Sequence, residues 1–273
     1  MLTREILAPV PHRHWMFSIP RVLRGLVERD RSLLGLLSRT AYEAIRNSFQ
    51  ALFEPSDLRP GCVVAIQSFG AYGANFNPHL CAIVSDGVFT PEGEFLPLPS
   101  LDPSTVMELF RRLLLERLHQ AQRLSERFRD QLLSWVHPRF SAFAGPVVEP
   151  TAVASIESQA RYITRPALAM DALEKRADGT LAMQTPPDPR TGADRIVSDP
   201  LEWIHRITAH IPDPRPTFDK VLRSLQQPGK RARRSPARSH GLHSISPPGG
   251  PGLGLRQPNA PHMGAVIEKG FPG

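Results

Sequence analysis

The apolar positions of this chain follow two periods, and the change from one to the other divides it into elements. "HWMFSIP" (14–20) reads as a short strand, and "RVLRGLVERDRSLLGLLSRTAYEAIRNSFQALF" (21–53) then sets Leu33, Leu34, Leu37 and Ala41 at helical spacing. Pro60-Gly61 interrupts the pattern. "CVVAIQSF" (62–69) is β-branched and apolar, as a buried strand requires, and "HLCAIVS" (79–85) predicts a second one. Asp86-Gly87 predicts a hairpin from that strand into "VFT", and Pro91-Glu92-Gly93 a further turn into "EFLPLP" (94–99), so that residues 62–99 form a small antiparallel meander.

Helical spacing returns in "DPSTVMELFRRLLLERLHQAQRLSERFRDQLLSWV" (102–136), which predicts one helix with Asp102 or Ser104 as its N-cap. "PTAVASIESQARYITRP" (150–166) predicts another, stopped by Pro166. A third lies in "SDPLEWIHRITAHIP" (198–212), with Asp199 as cap and Pro200 in the first turn. From about residue 215 neither period survives. Residues 219–273 hold eight Pro and nine Gly, a composition that predicts a disordered tail.

Charge changes the picture only in that tail. The chain of 273 residues has a net charge of +7, and residues 219–273 carry nine Lys and Arg against two Asp and Glu, which is the whole excess. The remainder is neutral, so the overall basicity says nothing of what it binds. A hydrophobic content of 41% and a charged content of 22% are ordinary for a globular protein. There is no apolar run of about 18–20 residues and no signal-peptide pattern, so a cytoplasmic location is expected. Two cysteines, Cys62 and Cys81, provide neither a disulfide framework nor a C-x-x-C zinc knuckle.

Candidate chemistry lies in two places. In a strand, His79 and Cys81 share a face while Leu80 points away, so the pair either chelates a metal or packs in a core. In the helix of 150–166, Tyr162 has Arg165 one turn on. A phenolate can attack a phosphodiester while a guanidinium binds a non-bridging oxygen and a divalent metal polarises the phosphate, although amphipathic packing gives the same spacing. His12-Arg13-His14 repeats the i, i+2 spacing about a charged residue and reads as an exposed strand start. Asp86 reads as a turn residue.

Four ordered segments, "AIQSFGAYGANFNPHLCAIVSDGVFTPEGEFLPLP", "LLSWVHPRFS", "ARYITRP" and "RITAHIPD", resemble the rolling-circle transposases of bacterial insertion sequences, the two-tyrosine type within the HUH endonucleases. The resemblance runs from about residue 14 to residue 214. It implies an α+β fold, with a palm of antiparallel strands packed with helices. It also implies a His-hydrophobic-His pair that binds Mg²⁺ or Mn²⁺, and a helix-borne tyrosine. That tyrosine nicks single-stranded DNA at insertion-sequence ends and holds the 5′ end as a phosphotyrosine before joining. His79 matches the first histidine of the pair and Tyr162 the nucleophile; Gln67 is a further metal-ligand candidate, and Arg165 falls near the scissile phosphate. The implied organisation is an N-terminal strand and helical region (1–60), a catalytic domain (61–214) and the tail (215–273).

The chain departs from that pattern in four respects. Cys81 stands where the second histidine is expected, a soft ligand for a hard ion. Ser158 and Pro166 lie four residues either side of Tyr162, leaving a single tyrosine. The cysteine-rich module that precedes the catalytic part in relatives is not found. The segment resembling "YYGxYSNRxRG" is missing after "HIPD". In its place stands "VLRSLQQPG" (221–229); one choice of codons for it, with the first base dropped and an A supplied by Lys230, reads Tyr-Tyr-Gly-His-Tyr-Ser-Asn-Arg-Ala. The tail is therefore expected to be an out-of-frame translation beginning between Pro214 and Lys220. Two functions follow: a strand-nicking transposase, or a remnant that at most binds single-stranded DNA.

Overall fold

A computed structural model describes residues 7–54, 57–70, 75–137, 139–164, 173–188, 191–208 and 210. It shows an α+β fold of helices packed on antiparallel sheets. The main sheet has the order β2-β3-β1-β6, built from β1 (His12–Ser18), β2 (Cys62–Phe69), β3 (Phe76–Ser85) and β6 (Ser141–Val148). Every pairing is antiparallel, and β1, drawn from the N-terminal segment, lies between β3 and β6.

Period-2 alternation gives this sheet two buried faces. Trp15, Phe17, Leu80, Ala82 and Val84 point to the main core. There they meet α1 (Arg21–Arg29), α2 (Ser32–Gln50) and α3 (Pro103–Gln120) through Leu23, Val27, Leu37, Ile45, Phe49, Phe110 and Leu115. Met16, Cys81 and Ile83 point the other way, against Ala160 and Ile163 of α5 (Val153–Thr164). Strand β3 is covered on both sides, which is why "HLCAIVS" reads as a continuous apolar run rather than an alternating one.

Asp86-Gly87 does not form the expected hairpin. Strand β3 pairs with β2 and β1, and the chain bends at Asp86 into β4 (Gly87–Phe89), which pairs with β5 (Phe95–Pro97) in a separate two-stranded sheet. The bend is pinned from β1: Arg13 Nε and Nη2 donate to the Asp86 carboxylate at 3.0 and 3.3 Å, and Asp86 N–H donates to Pro11 O at 2.7 Å. Gly87 is needed for closeness rather than for φ, since a Cβ there would lie 2.3 Å from Leu96 O. The second turn forms as expected, with Gly93 at φ +95 and its N–H donating to Thr90 O at 3.0 Å.

The helix expected over 102–136 is two helices. Asp102 caps α3 by accepting from Ser104 N–H at 2.9 Å. The chain then reverses at Gln122, which has φ 57, and Ser125 caps α4 (Glu126–Ser134) by accepting from Phe128 N–H at 3.3 Å. The buried guanidinium of Arg111 in α3 holds the pair together, donating to Leu132 O at 2.9 Å, to Leu133 O and to Trp135 O at 3.4 Å. These are carbonyls that the end of α4 leaves without helical partners.

Strand β6 and a third sheet, of β7 (Leu173–Lys175), β8 (Leu181–Gln184) and β9 (Arg195–Ser198), have no counterpart in the sequence reading. Met183 of β8 packs with Trp203 of α6 (Pro200–Thr208), and Phe69 at the end of β2 packs against them. Asp199 caps α6 as expected, accepting from Leu201 N–H at 2.8 Å. Arg165 and Pro166, and the tail from 215 with its shifted-frame segment, lie outside the described residues. Among the described residues no helix is long and apolar enough to cross a membrane.

Candidate functional site

The face of the main sheet beneath α5 carries the chemistry. Register across the strands arranges its side chains in three rows. Gln67, His79 and Ser18 are cross-strand neighbours; Ala65, Cys81 and Met16 form the next row; Val63, Ile83 and His14 form the third. Adjacent rows are two residues apart, about 7 Å. His79 and Gln67 are buried, and Cys81 is 0% exposed.

In the first row, His79 Nδ1 lies 2.8 Å from Asn77 O. A carbonyl can only accept, so Nδ1 carries the proton and the lone pair is on Nε2, the tautomer that a metal-binding histidine adopts. Beside it, Gln67 Nε2 donates to Ile163 O at 3.2 Å, which ties the last turn of α5 to the sheet. Gln67 Oε1 is buried and has no hydrogen-bond partner among the described residues.

The second row is apolar. Cys81 is enclosed by Met16, Ile83, Ala160 and Ile163. Cys62 lies on the opposite face of the sheet, in the main core, where burial pushes its thiol up to about 12. The two cysteines therefore do not share a site.

Tyr162 belongs to the third row. Its ring stands edge-on to the His14 imidazole, with centroids 5.5 Å apart and planes at 81°. A helical side chain leans towards the helix N-terminus, so Tyr162 reaches back along the sheet although Ile163 touches Gln67. The structure thus brings Gln67, His79 and Cys81 onto one face and Tyr162 over the same face. The tyrosine ring, however, sits by a row that is four residues, about 13 Å, along β3 from His79.

The reading of His12-Arg13-His14 as an exposed strand start is corrected. His12 is 3% exposed, Arg13 is turned to Asp86, and His14 lies under α5. His14 is thus a site residue that sequence reasoning passed over. The available signal was alternation: His14, Met16 and Ser18 follow the same period as His79 and Cys81, and the charged Arg13 between the histidines obscured it.

The residues do not fit a hard divalent ion as a set. His79 offers an imidazole nitrogen and Gln67 an amide oxygen, but the third position is a buried thiol, soft where a hard ion asks for oxygen or imidazole. Among the described residues no other His, Cys, Asp or Glu completes a group of three.

The fold is thus a mixed sheet-and-helix one, with a tyrosine-bearing helix laid across a histidine-bearing central strand. The model of the Y2_Tnp family, described as "Putative transposase", matches residues 61–222, and the chain belongs to this transposase family. Its function is accordingly transposase-like and its partner is DNA. The match begins at the threshold of β2, so His14 and the rest of β1 lie upstream of it. No curated protein and no solved structure matches the chain.

Proposed function

We propose that this transposase is of the HUH type and acts on single-stranded DNA, nicking and rejoining one strand through Tyr162. The observation that carries the reading is the placement of α5: the tyrosine helix crosses the sheet face that bears His79 and Gln67 and is bonded to it through Gln67 and Ile163 O. In the nicking step Tyr162 Oη attacks phosphorus, the bond to O3′ breaks, and the 5′ end remains on the phenol. Attack by a 3′-hydroxyl in the reverse sense joins strands and frees the tyrosine. Arg165, outside the described residues, is proposed to bind a non-bridging oxygen. Mg²⁺ or Mn²⁺ would find donors in His79 and Gln67 but not in Cys81, and no step is assigned to it.

Cys81 favours a second reading, a remnant that binds single-stranded DNA without cutting it, because a buried soft thiol stands where the resemblance implies a second imidazole. The two readings separate when the protein is incubated with labelled single-stranded DNA and Mn²⁺ and denatured. A covalent adduct that disappears in Tyr162→Phe supports the nuclease. An adduct seen only in Cys81→His supports the remnant. No adduct from either removes Tyr162 from the role of nucleophile.

A further inference from the structure

His14 is an imidazole held where the family's quoted motifs assign nothing. It projects from β1, opposite Ile83 in β3, towards α5. Its Nε2 is buried and has no hydrogen-bond partner among the described residues. A buried nitrogen without a partner has lost its hydration, so its presence calls for a use. One helical turn before Tyr162, on the same side of α5, Gln159 Oε1 is likewise buried and unpartnered among the described residues.

The backbone around His14 is shaped to keep it there. Between Arg13 and Trp15 the pairing of β1 with β6 shifts register, Arg13 matching Val147 and Trp15 matching Ala144. Gly145 and Pro146 therefore lie opposite His14, and a Cβ on Gly145 would sit 3.4 Å from His14 O. Such irregularities re-aim side chains beside active sites. Burial holds the imidazole below its ordinary range, which favours its neutral form.

We propose that His14 is the positioning residue for Tyr162: its ring seats the phenol, and its Nε2 takes the phenolic proton when Tyr162 attacks. The inference rests on Tyr162 as the nucleophile. In the step, the Oη–H bond breaks and the proton passes to Nε2. Oη bonds to phosphorus, O3′ departs with the electron pair of the P–O bond and takes a proton from water, and the imidazolium releases its own proton to solvent. The two rings already meet edge to face, with centroids 5.5 Å apart. Pairs of nucleophile and base are commonly looser without substrate than with it.

The test needs neither DNA nor metal. An aryl sulfonyl fluoride modifies a tyrosine whose proton is removed by a neighbour, and mass spectrometry of the full chain reports the rate at Tyr162. In His14→Gln and His14→Gly, each checked for an unchanged thermal midpoint, that rate should fall about tenfold or more, and added imidazole should restore it in His14→Gly. Should His14→Gln fail to fold, His14→Asn takes its place. An unchanged rate in a folded variant, or no recovery with imidazole, overturns the proposal. Labelling that depends on His14 in a protein that forms no DNA adduct upholds the pairing and overturns only the nicking reading.

Discussion

Burial holds the imidazoles of both His12 and His14 below their ordinary range, against a smaller opposing effect on His12 from Val10 O and Asp86. In the unfolded chain each titrates at about 6.5. Below that value the unfolded state binds protons that the folded state refuses, so stability is full above about pH 6.5 and is lost as pH falls towards the depressed folded values. The melting temperature should be flat above neutrality and decline between about pH 6.5 and 5, before the carboxylates respond. A folded His14→Gln variant should decline less, as scanning calorimetry at a series of pH values would show. A parallel decline in the two proteins would mean that His14 is not sealed under α5. A later acid step belongs to groups such as Asp30, whose hydrogen bond from Ser32 holds its carboxyl below the usual range. Its contribution is present above about pH 4 and is lost as pH falls through its folded value.

At the scale of the element, Arg111 governs how α4 stands on α3. Its guanidinium is buried and meets carbonyls that have no helical partner, so Arg111→Met leaves Leu132 O and Leu133 O without their donor. The expected loss is about 2–3 kcal/mol, measurable by urea unfolding at unchanged slope. The same pair of helices shows where the sequence was legible and where it was not. Strand β2 was read to its ends, and the caps Asp102 and Asp199 announced their helices. The break after α3 was invisible because Leu124, buried beyond it, continues the apolar pattern, and the reversal rests on Gln122, not on Gly or Pro. Strand β6 has no clean alternation and contains Gly145-Pro146, which an edge strand tolerates. At the site, alternation placed His79 and Cys81 on one face, and the structure adds Gln67 beside His79 and α5 over that face. The neighbour of Tyr162 was not legible, because β1 and α5 lie some 150 residues apart in sequence and only the sheet order joins them.

Over the whole chain, the excess charge lies beyond the described elements. The excess of positive charge belongs to residues 219–273, while the sheet, its helices and the tyrosine face belong to the neutral part. A chain ending at residue 218 should keep the melting temperature of the full chain. It should also lose most of the salt-dependent part of its affinity for mixed-sequence DNA, as titrations between about 50 and 200 mM salt would show. An unchanged salt slope would place the phosphate contacts on residues 1–218 instead.

The position of β1 has a consequence for how copies of such a gene decay. Strand β1 precedes the other strands of its sheet in chain order yet is an inner strand, and its β6 partner follows only from residue 141. A deletion confined to the first twenty codons would leave the family-matched span of 61–222 intact in sequence. In the protein it would open a gap between β3 and β6, stripping both of their shared neighbour and exposing strand edges suited to pairing with other chains. Loss of the leading codons should therefore yield insoluble protein from a reading frame that still matches the family.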